Sequence, residues 1–176
     1  MYDLELPKDI KAKISEDGTV ITLSGKLGST SKIVNRMLIE AKVEGSKIVF
    51  EPTPNGKLAK KADLAARSLV AELKSASVGV EQGVERDMKI LFAHFPISVD
   101  IKAKEVHIKN IFGEKFPRVA KIVGDTKVTV KGQDVHIAGV DEYDVGQTAA
   151  NLHRLSSQRN KDGRVFQDGI YHVHED

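Results

Sequence analysis

The 176-residue sequence predicts an α+β protein made of two tandem, duplicated units, each a small twisted antiparallel sheet with one face covered by a helix. Three observations lead there. Short runs of alternating polar and apolar residues, bounded by Gly, Pro, Asp or Asn, recur along the chain. Two longer stretches carry apolar residues at helical spacing instead. The order of these elements then repeats at a nearly constant offset.

The alternating runs are "IKAKI" (Ile10 to Ile14), "TVITLSG" (Thr19 to Gly25), "SKIVFEP" (Ser46 to Pro52), "DIKAKEVHIKN" (Asp100 to Asn110), "KVTVKG" (Lys127 to Gly132) and "DVHIAGV" (Asp134 to Val140). They read as short antiparallel hairpins. In "KLAKKADLAARSLVAELKSASVGV" the positions Leu58, Ala62, Ala65, Leu69 and Leu73 recur every three or four residues and predict one buried helical stripe. In "YDVGQTAANLHRLSSQ" Val145, Ala149, Leu152 and Leu155 do the same, with Asp144 as the cap. An offset of 85 aligns Ile21 with Val106, Leu23 with Ile108 and Gly28 with Gly113; one of 87 aligns Ile48 with Val135, and 87 to 88 brings Ala62 and Leu64 to Ala149 and Leu152. The expected division is therefore 1–84 and 85–176, with a linker near "GVEQGVERD", Gly79 to Asp87, where two glycines interrupt the helical pattern.

Composition removes several function classes. Cysteine is absent, which excludes disulfides, thiolate metal sites and a cysteine nucleophile. No apolar run approaches a membrane span and the first residues are charged, so the expectation is a cytoplasmic protein with no membrane partner. A hydrolase reading lacks a "GxSxG" elbow. Charge is uneven: residues 101–132 hold 8 Lys and Arg against 3 Asp and Glu, whereas 133–176 hold 4 against 8. A basic centre suits a polyanion, because cations that neutralise phosphates release counterions; a solvated charged face is the equal alternative.

The basic centre contains "NIFGEKFPRVAKIVGDTKVTVKG", where Lys109, Lys115, Arg118, Lys121, Lys127 and Lys131 surround turns. Phe112 and Phe116 either stack on bases or pack inward, and inward packing is the expected role. At the start of the second helix, "DVGQTAAN" places small residues where another surface can come close, either an anion on the first-turn amides or a tightly packed sheet. His94 in "ILFAHFPISV" reads as a hydrogen-bonded histidine in a strand, and His107 and His136 as outward-looking strand residues. The tail "RVFQDGIYHVHED" can be read as a metal clasp through His172 and His174 with Glu175 or Asp176, as a sheet-edge strand, or as an arm that touches a partner.

Four stretches taken together narrow these choices. "MKILFAHFPISV" (Met88 to Val99), "NIFGEKFPRV" (Asn110 to Val119), "DVGQTAANL" (Asp144 to Leu152) and "RVFQDGIY" (Arg164 to Tyr171), in this order and spacing, resemble the L-six family of large-subunit ribosomal proteins in its archaeal and eukaryotic form. The resemblance is strongest over residues 86–171. It implies a structural, non-enzymatic constituent of the large ribosomal subunit, without cofactor. The implied partners are large-subunit rRNA, bound mainly through the C-terminal domain near the factor-binding and sarcin-ricin region, and neighbouring ribosomal proteins, with translation factors nearby. Matching positions are Gly113, Lys115 and Arg118 in the "FGEKFPR" loop, Gly146, Gln147 and Asn151 at the helix start, and Arg164, Phe166, Gln167, Asp168, Gly169 and Tyr171 in the tail. With Lys109, Arg154 and Lys161 these form the expected rRNA-binding set, and no metal ligand is expected. In the tail the expectation is that Asp168-Gly169 turns the chain, "IYHV" runs extended, Lys161 and Arg164 meet phosphate, and the histidines lie on the solvent side. Two departures from the family pattern fall in the N-terminal half, at "ARSLVAELKSASVGVEQG" and "SGKLGSTSKIVNR", and a third is Gly163, where the family tends to carry a basic residue. The competing readings are a metal-binding module or metal-dependent enzyme using His172 and His174, and a module whose sheet edges pair with a neighbouring protein.

Overall fold

A computed structural model describes residues 2–7, 9–44, 47–53, 56–93, 95–158 and 161–173. His94 and the tail residues His174, Glu175 and Asp176 lie outside the described residues. The chain divides into two compact units, Met1–Gly83 and Val84–Asp176.

The first unit runs β1 (Tyr2–Glu5), β2 (Lys11–Ile14), β3 (Val20–Ser24), β4 (Ser29–Ile33), β5 (Ile39–Glu44), β6 (Lys47–Pro52), a 3-10 turn at Gly56–Leu58, and α1 (Ala59–Gln82). It holds two antiparallel sheets, in the orders β1-β6-β5 and β2-β3-β4, so each sheet is smaller than a single sheet per unit would be. Alternation on the strands decides what is buried: Ile21 and Leu23 of β3 and Ile48 and Phe50 of β6 are fully inside. Above them α1 buries Ala62, Ala66, Leu69, Leu73, Ala76 and Val80, a stripe three to four residues apart. Ala66, not Ala65, carries that stripe, and Leu58 stands half exposed at the N-cap, one turn short of the core.

Of the two glycines expected to interrupt the pattern, Gly79 lies buried inside α1. Gly83 alone ends the helix, with φ 81°, a backbone that a side chain would strain. The next strand begins at Val84.

The second unit runs β7 (Val84–Leu91), β8 (Ser98–Lys102), β9 (Glu105–Lys109), a 3-10 turn at Ile111–Gly113, β10 (Arg118–Lys121), β11 (Lys127–Lys131), β12 (Asp134–Gly139), α2 (Glu142–Ser156) and β13 (Gly169–His172). Its sheets are β10-β9-β8 and β11-β12-β7-β13, again antiparallel throughout. The run Asp100 to Asn110 is a short antiparallel hairpin whose turn includes Ala103 in the left-handed region, φ 51°. Met88, Ile90, Val106, Ile108, Val135, Ile137, Val145, Ala149, Leu152 and Ile170 close the core.

The duplication is visible in the topology. β2-β3-β4 matches β10-β9-β8 with β3 and β9 central, and β1-β6-β5 matches β7-β12-β11, with β13 added in the second unit. The offset of 85 superposes two buried pairs, Ile21 and Leu23 against Val106 and Ile108; the offset of 87 superposes Ile48 and Phe50 against Val135 and Ile137. The helices obey a different offset. Their buried positions correspond as Ala62, Ala66, Leu69 and Leu73 against Val145, Ala149, Leu152 and Ser156, and Leu64, expected opposite Leu152, is 65% exposed. Loops between strand and helix differ in length, so burial and not sequence distance sets the helical correspondence.

Candidate nucleic-acid interface

The Ile111–Arg118 loop and the tail are joined to the C-terminal turn of α2 and to each other, and the start of α2 offers a further surface of the same unit. The loop after β9 turns with Asn110, Phe112 and Gly113 at φ 61°, 50° and 77°. Two of these are non-glycine residues in a costly conformation, so the surroundings must hold it. Asn110 Nδ2 donates to Pro96 O at 3.1 Å, Glu114 N–H closes back onto Ile111 O at 3.0 Å, and the Phe95 ring lies 3.6 Å from where a Cβ on Gly113 would stand.

Arg118 holds the other end. Its Nε and one terminal nitrogen donate to the two oxygens of Glu114 at 2.8 and 2.5 Å; the second terminal nitrogen donates to Leu155 O at 2.6 Å and Ser157 O at 3.4 Å. The hydrogen bond from Arg118 holds the Glu114 carboxyl below the usual carboxylate range, against the opposing effect of burial. The same bond raises the guanidinium above its ordinary value. Arg118 therefore satisfies the carbonyls at the C-terminal end of α2 and fastens the loop to them. A phosphate would have to displace a bidentate carboxylate and two carbonyls to take this guanidinium, whereas neighbouring Lys115 is exposed and has no ion-pair partner among the described residues. Lys109 is paired with Asp100 at 2.6 Å, but both are about half exposed, so the pair is screened and exchangeable. Its bond to Lys109 lowers the Asp100 pKa.

The N-cap of α2 is Asp141, not Asp144: Asp141 Oδ1 accepts from Tyr143 N–H at 2.9 Å. Asp144 lies in the first turn against Gly124, where a Cβ would collide with the Asp144 carboxylate. With Asp141, Glu142 and Asp144 together, the first turn is already supplied with negative charge, and an anion gains nothing from its dipole. One turn later the helix offers a different face. A Cβ on Gly146 would meet nothing within 4 Å, and beside it Gln147 Nε2 donates to Asn151 Oδ1 at 3.1 Å while Asn151 Nδ2 donates to Lys121 O at 3.1 Å. Gln147 is thereby oriented, its carbonyl oxygen without a hydrogen-bond donor among the described residues, and Ala150 and Arg154 continue along the helix as exposed positions.

The tail is a strand on the sheet edge, as one of its readings had it. β13 pairs with β7 through Gly169↔Leu91 to His172↔Met88. The outer edge at Ile170 is capped by α2: Ser156 Oγ accepts from Ile170 N–H at 2.9 Å, and His153 Nδ1 lies 2.8 Å from Ile170 O. The tight turn is at Asp162, whose carbonyl accepts from Val165 and Phe166 N–H, and not at Asp168-Gly169. Asp168 is 1% exposed and accepts from Ala93 N–H at 2.8 Å; Gly169 is buried against the Tyr171 ring, 3.1 Å from its imagined Cβ. These two fix the tail from inside. Tyr171 packs edge-on against His153 and Phe166 against Phe112, with ring centroids 5.4 and 5.8 Å apart. Lys161 Nζ lies 4.9 Å from the Phe112 centroid and 4.5 Å from that of Phe166. Arg164 and Gln167 are exposed, Gln167 Nε2 donating to Arg164 O at 3.2 Å. His172 is exposed, its ring 5.9 Å from that of His153. Among the described residues no group of three or more His, Cys, Asp or Glu is placed to hold a metal ion.

Sequence reasoning missed three things here. Phe116 does not pack inward; it is 84% exposed. The Glu114–Arg118 bracket was signalled by its i, i+4 spacing alone, and the Ser156 and His153 caps on β13 had no local signal. His136, expected on the surface, is partly exposed and bonds Asp87 Oδ1 at 2.6 Å, while His107 is mostly covered, its side chain 18% exposed.

The fold and this surface define a class: duplicated α+β proteins that present cations and aromatic rings on loops and a helix face of one unit. A profile described as ribosomal protein L6 matches residues 95–169, the segment that carries these loops, α2 and the tail. The large ribosomal subunit protein uL6 of Methanocella arvoryzae is 38% identical over 170 residues, 96% of this chain and 93% of that protein. The uL6 of Thermoplasma acidophilum is 39% identical over 168 residues, 96% and 92% of the two chains, and that of Archaeoglobus fulgidus 36% over 174, 97% and 87%. The chain belongs to the ribosomal protein L6 family.

Proposed function

We propose that this protein is a structural, non-catalytic constituent of the large ribosomal subunit in the cytoplasm that binds large-subunit rRNA mainly through residues 84–176. The observation that carries the reading is the coincidence of the family match with the exposed cations Lys115, Arg154, Lys161 and Arg164 and the partly exposed Gly146 and Gln147, on the loop, helix and tail of the second unit. Folded RNA is bound by joining phosphate contacts to shape-dependent hydrogen bonds, and this set supplies cations, an oriented amide and a bare helix position open to close approach. Lys109, with its exchangeable partner, and Asn151, which orients Gln147, extend it. Arg118, Asp168 and Gly169 support the surface from beneath, and Phe166 and Tyr171 hold the tail to it. Placement near the factor-binding and sarcin-ricin region, beside neighbouring ribosomal proteins and translation factors, is what the family resemblance implies for this surface. Co-sedimentation of untagged protein with large ribosomal subunits at raised salt tests the proposal. The protein is expected in the subunit fraction, and recovery wholly in the soluble fraction while subunits stay intact would overturn it.

A further inference from the structure

Phe116 is the most exposed aromatic ring among the described residues, 84% open to solvent, and its backbone is held from both sides. The Glu114–Arg118 bracket spans the three residues between, so that Lys115, Phe116 and Pro117 form a bow whose ends are tied together at 2.5 and 2.8 Å. Arg118 fixes the bow in turn to the carbonyls of Leu155 and Ser157. Glu114 is extended, with φ −61° and ψ 132°, and the residue before a proline is confined to extended backbone, which sets Phe116 itself. The loop that carries Phe116 is thereby tethered at both ends, and its ring is left open to solvent.

Chemistry then selects its occupant. Lys115 adjoins Phe116 in the chain, exposed and with no ion-pair partner among the described residues, Glu114 is paired with Arg118, and from Lys115 to Gly124 the sequence "KFPRVAKIVG" carries three cations and no acid. An exposed aromatic ring on a tethered loop, with cations close to it in the chain, suits a stacked nucleobase and its phosphate. Resting on the rRNA-binding reading above, we propose that Phe116 is a stacking site for an unpaired nucleobase of the RNA, with Lys115 on the adjoining phosphate and Arg118 as the positioning residue of the bow. A duplex offers no open base face, so this part of the interface selects a bulged or looped nucleotide.

The chain has no tryptophan, so Phe116→Trp gives a single reporter at an exposed position where the fold has nothing to lose. Titrated with large-subunit rRNA, the full-length variant should show quenched indole fluorescence and protection from acrylamide. Phe116→Leu should bind the same RNA about 5- to 100-fold more weakly, while the slope of affinity against salt stays as in the parent chain because no charge is lost. Phe116→Tyr should restore the affinity. A Phe116→Trp variant that binds the RNA while its indole remains bright and accessible, or a Phe116→Leu variant that binds as the parent does, would overturn the stacking site and leave the rRNA reading standing. Loss of subunit incorporation by Phe116→Leu with RNA affinity unchanged would assign the ring to a neighbouring protein and overturn it equally. No salt-dependent binding by the parent chain would overturn the rRNA reading, and this site with it.

Discussion

Replacing Ser156 by alanine tests how the tail is held. Ser156 is fully buried, and its hydroxyl accepts from the Ile170 N–H at 2.9 Å while donating to His153 O at 3.0 Å. Ile170 is also fully buried, on the outer edge of β13, where no further strand pairs among the described residues. Alanine leaves its buried N–H without the Ser156 acceptor. A buried donor left unmade costs about 1–3 kcal/mol, and the small void left by the hydroxyl adds to that, so a loss of about 2 kcal/mol is expected. The His153 contact to Ile170 O remains and keeps the strand in register. Equilibrium urea denaturation of the full chain should show the loss, and hydrogen exchange should show it concentrated at Ile170 and its β13 neighbours. A change under about 0.5 kcal/mol, the range of ordinary surface substitutions, with exchange at Ile170 unaltered, would refute the claim that α2 caps this edge.

Gly146 separates interface from scaffold. An added Cβ meets nothing within 4 Å, so Gly146→Ala should stabilise the helix by up to about 1 kcal/mol in denaturation, while Gly146→Leu, tolerated by the fold, should weaken rRNA binding; unaltered binding by the leucine variant would remove this face from the interface. Acid should open the bow at Glu114. Because Arg118 lowers the carboxyl's folded pKa, its contribution is complete above the ordinary glutamate value near 4 and is lost as pH falls through the lower folded value. The stability advantage of the parent over Glu114→Gln should therefore be flat from pH 7 to 5 and shrink in stronger acid; an advantage that grows on acidification would contradict the pairing.

The parts legible in the sequence were those with local causes. Alternation placed Ile21, Leu23, Val135 and Ile137 inside, and helical spacing found both helices. What escaped depended on distant partners. β1, β4, β5, β7 and β10 take their identity from the strand beside them, as Arg118 to Lys121 does from Ile108 to Glu105. Asp168 reads as a turn residue beside a glycine until Ala93 N–H, 75 positions away, claims it. Arg118 reads as a phosphate ligand until the end of α2 claims it. A basic residue in a loop has the same sequence signature whether it serves RNA or a helix terminus, and only the partner distinguishes them.

Exposed cations define the proposed RNA surface, and counting the phosphates they contact is the direct test. Affinity of the full-length chain for large-subunit rRNA, measured across salt concentrations, should fall along a line whose slope reports those contacts, close to one unit for each. Neutralising Lys115, Arg154 and Arg164 together should flatten that slope by roughly two to three units, whereas Lys127→Gln and Lys131→Gln on β11 should leave it unchanged. A triple variant with the parent's slope would contradict the assignment of this surface to RNA.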